Sequence, residues 1–188
     1  MSTAMQATSA AFLRDFADRW LTAWNSHDTG TVLALLHPDV QWDETVFWPH
    51  PLHGREAVRA YVDAIWRAMP GYSVSEVQLF TATDDGRALV LFRQRGAAPS
   101  GLGTQQRSSG QGSSGQGFDV QGCDIFLGFR DGLLAHYTAA FEIVDMLRQL
   151  GALPPRGDRK GGAYLLSLLE PRENEPAEAS ASSEGAIP

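Results

Sequence analysis

The chain has 188 residues, 43% of them hydrophobic, which suits one domain with a real core plus some tail. Its net charge of −7 argues against a phosphate-tracking surface, and so against nucleic acid as a partner. Cys123 is the only cysteine, which excludes an intrachain disulfide and a cysteine-rich metal site; a buried, inert thiol is expected.

The first residues have neither the basic nor the apolar region of a signal peptide, and every apolar run is far shorter than the ~20 residues of a membrane helix. A cytoplasmic protein is therefore expected. Residues 12–24 carry Phe12, Leu13, Phe16, Trp20, Leu21 and Trp24 at helical spacing, which predicts an amphipathic helix. A second short helix is predicted over 31–36, ending before His37-Pro38. In 40–46, Val40, Trp42, Glu44 and Val46 share one strand face. A loop rich in Pro and His (48–54) leads to a third helix over 55–69, stopped by Pro70-Gly71.

Strands follow. Segments 72–83 and 87–95 flank Asp84-Asp85-Gly86, and segments 118–129 and 133–141 flank Arg130-Asp131-Gly132, two Asp-Gly hairpin signals. A last helical turn or two is expected over 142–150, closed by Gly151. Between the hairpins, SSGQGSSGQG (108–117) repeats a pentapeptide that has no side chains to build a packed face, so it reads as a flexible loop. Residues 1–153 are thus expected to form a single domain, and 154–188 a polar, acidic and largely disordered tail. Helices first and strands later predict an α+β fold, a cone-shaped curved antiparallel sheet with helices packed on its concave face. The space between those layers is a natural small-molecule pocket.

Three phrases, AWNSHDTGTVLALLHPDVQWDE, LHGREAVRAYVDAI and FDVQGCDIFLGFRDGLLAHYTAAFEIVDMLRQLGALP, resemble the nuclear transport factor 2-like superfamily, in particular its SnoaL-like polyketide cyclases and ketosteroid isomerases. The resemblance covers about residues 10–153. It implies that Glu44 stands where the isomerases place a general-base carboxylate, and Asp124 where they keep a protonated acid that donates to a developing oxyanion. It also implies a homodimer and a site that works without cofactor or metal. In two places the sequence departs from the family. Trp20 replaces the isomerase's oxyanion-hole tyrosine, and an indole donates a hydrogen bond but cannot relay a proton. Ala139 stands where the cyclases and limonene epoxide hydrolase-like enzymes carry a final-strand Asp.

Two carboxyl groups in an apolar cone can divide acid and base roles, because burial and mutual repulsion push their proton affinities up and apart. Phe16, Trp20, Trp24, Trp42, Tyr137 and Phe141 are expected to form the apolar walls. Arg93 either binds a substrate carboxylate or neutralises Asp124, and Glu44 either lines the pocket, lies at a strand end on the solvent, or pairs with Arg55 or Arg59. His50, on the 48–54 loop, is placed at the pocket mouth as a candidate proton shuttle and substrate contact. With His53 it forms a loose metal spacing, but further ligands are lacking. The expected function is a cofactor-independent cyclase or isomerase acting on a hydrophobic, carbonyl-bearing polyketide-type intermediate. The alternatives are a non-catalytic binding or dimerisation module of the same fold, and an epoxide hydrolase-like enzyme.

Overall fold

In the computed structural model, residues 9–45, 48–69, 71–97 and 117–153 are described. The expected tail and all but the last glycine of the pentapeptide repeat lie outside these residues. The first helix, α1 (Ala10–Asn25), starts where the Ser9 hydroxyl accepts a hydrogen bond from the Phe12 N–H (3.1 Å). The second, α2 (Thr29–Ala34), is capped in the same way by Asp28, which accepts from Gly30 N–H. Strand β1 (Leu36–Asp43), a two-residue strand β2 (Leu52–His53) and helix α3 (Arg55–Ala68) complete the first half.

The second half is β3 (Ser73–Ala82), β4 (Arg87–Ala97), β5 (Gly117–Arg130), β6 (Leu133–Phe141) and a short α4 (Ile143–Gln149). At the β5–β6 turn, Asp131 and Gly132 both have positive φ (52° and 74°), as the tightest hairpin turns require.

The α+β class and the helix-backed curved sheet hold. The six strands run in the order β2-β1-β6-β5-β4-β3. The sheet is mixed rather than wholly antiparallel, because β1 pairs in parallel with β6, with Trp42 opposite Tyr137 and Asp43 opposite Thr138. A parallel neighbour needs a long crossover and leaves no turn signature, which is why strand patterning alone did not show it. The strand and hairpin positions agree with the sequence reading to within a few residues, apart from the earlier start of β1 and the unforeseen β2.

Bulges in β3–β4, after Glu76, and in β5–β6, around Gly128, bend the sheet. The inner face then wraps α1, whose Leu13, Phe16, Ala17, Trp20, Leu21 and Trp24 are all buried. Asn25 locks the end of this helix to the edge strand, donating to Val74 O and accepting from Val74 N–H, both at 2.8 Å.

Gly122 is required by packing. A Cβ there would lie 2.7 Å from a Phe141 ring carbon and 2.9 Å from Phe92, both of which lean across the inner face of β5. We expect Gly122→Ala to destabilise the protein by about 1–3 kcal/mol, through displacement of those rings. Gly128→Ala, whose Cβ would meet nothing nearer than 3.9 Å, should stay within about 0.5 kcal/mol of wild type. Urea midpoints of the two variants, measured side by side, check this.

Candidate active site

Strand alternation sends Val40, Trp42 and then Glu44 inward from β1. It sends Phe118, Val120, Asp124 and Phe126 inward from β5. Glu44 and Asp124 are 4% and 6% exposed. Their backbones flank the same residue of β6. Asp124 pairs with Ala139, and Glu44 follows Asp43, which pairs with Thr138. The small Ala139 therefore stands in the strand between the two acids, and both carboxyl groups reach one cavity.

No arginine reaches either acid among the described residues. Arg59 pairs with Glu56, and Arg55 donates to the Leu36 carbonyl. Arg93 points to the opposite face of β4, where it is exposed and pairs with Asp119. Its expected place in the pocket is therefore corrected. Parity on the strand decides the matter, since Val90, Phe92 and Gln94 are the residues that face inward.

Neutral donors hold the acids instead. Asp124 accepts from Trp20 Nε1 on Oδ2 (2.7 Å) and from the Tyr137 hydroxyl on Oδ1 (2.6 Å). Glu44 Oε2 accepts from Trp42 Nε1 (3.0 Å), and the Tyr61 hydroxyl lies against the same carboxyl. Burial pushes Glu44 up to about 8, and the nearby Asp124 charge adds to this against the pull of Tyr61 and Trp42. Burial also raises Asp124, but the hydrogen bonds from Tyr137 and Trp20 hold it at about 6. Both carboxyls are thus held above the ordinary carboxylate range, Glu44 further than Asp124. That order is opposite to the division implied by the resemblance, in which Glu44 is the base.

The cavity between them is small, about 10 Å³, enough for roughly one water. The open pocket expected from the sequence is thus nearly filled by side chains. Of the expected walls, Trp24, Tyr137 and Phe141 line it. Phe16, Trp20 and Trp42 stand behind them as fully buried supports; the Trp42 ring stacks on Tyr137 with centroids 3.9 Å apart.

His50 is exposed on its loop and is not among the cavity-lining residues, so its expected contact is also corrected. His53 is exposed as well. No cluster of three or more metal-ligating side chains occurs among the described residues. Cys123, half-buried on the outer face of β5, has its thiol pushed up by burial, opposite to an activated nucleophile.

The structure adds Tyr61, Ile65, Met69, Tyr72 and Gln94 to the lining. Gln94 was detectable as a polar side chain in phase with the inward positions Ala88, Val90 and Phe92. Tyr61 shares the α3 face of Val58, Val62 and Ile65.

The SnoaL-like domain profile matches residues 17–137. The chain belongs to the SnoaL-like domain family. Among solved structures, TsrD from Streptomyces laurentii is similar at 26% identity, over 77% of this chain and 98% of that one, with a TM-score of 0.59. A protein named for the SnoaL-like polyketide cyclases, from Jannaschia sp. CCS1, aligns at 16% identity over 79% and 99% of the two chains (TM-score 0.61). A protein of ketosteroid isomerase-like fold from Catenulispora acidiphila, solved with trimethylamine, aligns at 13% identity over 73% and 92% (TM-score 0.57). No curated protein matches. No helix among the described residues of this SnoaL-like chain is long and apolar enough to cross a membrane.

The two raised carboxyls set a pH dependence of stability. Between 4.5 and about 8 the unfolded chain has lost the Glu44 proton that the native state retains, so stability falls as pH rises through that window. Asp124 adds the same sign between 3.8 and about 6. Each pH unit over which one proton separates the two states costs about 1.4 kcal/mol. The urea midpoint should therefore decline from about pH 5 to about pH 8, and Glu44→Gln should flatten the part above about pH 6. A wild-type midpoint that stayed level or rose between pH 6 and 8 would contradict the burial of a protonated Glu44.

Proposed function

We propose that this SnoaL-like protein is a cofactor-independent cyclase or isomerase acting on a hydrophobic, carbonyl-bearing, polyketide-type intermediate. The observation that carries the reading is the convergence of two buried carboxyl groups, without a cationic partner among the described residues, on one aromatic-lined cavity. Asp124, ionised at neutral pH, is the base that takes a proton from carbon next to the carbonyl. Protonated Glu44 is the acid that donates a hydrogen bond to the developing enolate oxygen, and Asp124 returns the proton it took at the new position or after ring closure, so that both groups end in their starting states. Trp20 and Tyr137 are positioning residues. Their donors hold the Asp124 carboxylate in place and keep its proton affinity close to neutrality. The absence of an acid at position 139 removes the group on which the epoxide-opening alternative would depend.

Deuterium incorporation beside the carbonyl of 1-tetralone and 6-hydroxy-1-tetralone in D₂O, followed by proton NMR, tests the proton-transfer step. Exchange above the buffer rate is expected with wild type. Asp124→Asn should lose about 10²–10⁴-fold and Glu44→Gln should lose substantially as well. Exchange that Asp124→Asn leaves untouched would remove Asp124 as the base. The rate should rise with pH through about 6, as Asp124 ionises, and fall above about 8, as Glu44 loses its proton.

One observation favours a second reading, a non-catalytic binding or dimerisation module: the cavity holds only about 10 Å³. A hydrophobic substrate requires the walls to part, and that reading predicts that they do not. It gains if neither ketone binds and no exchange occurs.

A further inference from the structure

Gln94 is 1% exposed and lines the same cavity from the inner face of β4. Its amide nitrogen has one partner, the Met69 thioether at 3.6 Å, a weak acceptor. Its Oε1 has no hydrogen-bond partner among the described residues. The amide is oriented with its N–H end toward that sulfur, the end that can donate to a thioether. The unpaired group is thus a carbonyl oxygen, a pure acceptor.

The other polar groups around the cavity do not supply a donor to it. The Tyr137 hydroxyl is committed to Asp124, and the Tyr61 hydroxyl lies against Glu44. Tyr72 and Trp24 line the cavity, but neither the hydroxyl nor the indole N–H bonds to Oε1, and no arginine or lysine among the described residues lines it. A buried carbonyl left without a donor is unfavourable in the free protein, and the deficit is relieved by a ligand that brings one.

Register places the Gln94 backbone away from that of Asp124. Asp124 pairs with Val90, whereas Gln94 pairs with Val120, four residues further along β5. At ~3.3 Å per residue, the two backbone positions are ~13 Å apart.

We propose that Gln94 is a specificity-determining residue whose Oε1 accepts a hydrogen bond from a hydroxyl of the bound substrate. The inference rests on the proposed function and deepens it. The substrate is a hydroxylated carbonyl compound, with its carbonyl at Glu44 and Asp124 and an enol, phenol or alcohol group several bonds away at Gln94. A site that needs this donor discriminates against an analogue lacking it, because binding the analogue leaves the amide oxygen unpaired. Gln94→Leu, of similar size but apolar, removes the acceptor and with it the basis of the discrimination.

The test measures binding of 6-hydroxy-1-tetralone and of 1-tetralone, which lacks the hydroxyl, by isothermal titration calorimetry. The proteins are full-length wild type, Gln94→Leu and Asp124→Asn, each checked for a native circular dichroism spectrum. Wild type is expected to prefer the hydroxylated ketone by about tenfold or more. Gln94→Leu should bring the two affinities to within about twofold while still binding 1-tetralone. Gln94→Asn, which keeps a shorter amide, should restore part of the preference and so guards against a defect of folding in the leucine variant. An equal affinity of wild type for both ketones overturns the inference, as does a preference that survives in Gln94→Leu. A resident water that satisfies Oε1 gives that second result. If the preference survives in Gln94→Leu but Asp124→Asn abolishes deuterium exchange, the role of Gln94 fails and the acid–base site stands. If neither ketone binds and no exchange occurs, both fail.

Discussion

A buried carboxylate with no cation beside it is the constraint around which this fold is arranged. Asp124 could have been stabilised by an arginine, and the chain has several within one strand of it. A guanidinium would make the carboxylate permanently ionised and a poor base. Trp20 and Tyr137 instead donate from neutral groups. They offset part of the desolvation and leave a proton affinity near 6. The Trp20 bond also joins residues 104 positions apart and ties α1 to the middle of the sheet. The same contact that tunes the acid therefore sets the depth at which the helix sits, and the Phe16–Trp20–Trp42–Tyr137 aromatic layer packs around it.

The second acid depends on the one parallel strand pair. Pairing β1 with β6 brings the end of β1 to the level of Ala139, directly across from Asp124. A larger residue at 139 would separate the acids, and an acid there would add a third carboxyl group to a site with no cation among the described residues. Alanine leaves room for a glutamate whose proton affinity is raised both by burial and by the charge of its neighbour. The departure from the family at position 139 and the unusual state of Glu44 are thus parts of one arrangement.

Much of this was legible in the chain. Alternation placed Glu44 with Val40 and Trp42, and Asp124 with Val120 and Phe126, on faces that the structure buries. The same rule, applied to β4, would have turned Arg93 outward and Gln94 inward. Charge drew attention to the arginine although its parity was wrong. The division of labour between the acids could not be read in advance. It depends on how deeply each carboxyl is buried and on donors such as Trp20, which comes from α1, 104 positions from Asp124. Tyr61 and Tyr72 were hidden for a related reason. On a helix and at a strand start, an aromatic that fills core and one that lines a cavity have the same spacing. The closure of the cone, finally, is a matter of side-chain volume. Phe92 and Phe141 lean into the space that Gly122 vacates, which no periodicity reports.

Closure and acid–base chemistry are linked through water. The raised affinities of Glu44 and Asp124 come chiefly from burial. Parting the walls to admit solvent would return both groups toward ordinary carboxylates and erase the difference between them. A hydrophobic substrate that refills the opened space restores the dry surroundings, and with them the pair of one acid and one base. The wall best suited to yield is the end of α3, where Ile65 and the adaptable Met69 face the cavity. Met69 is also the one partner of the Gln94 amide among the described residues. Movement of that wall would release the amide nitrogen as the amide oxygen gains a donor from the ligand, so opening, recognition and the state of the acids draw on one set of contacts.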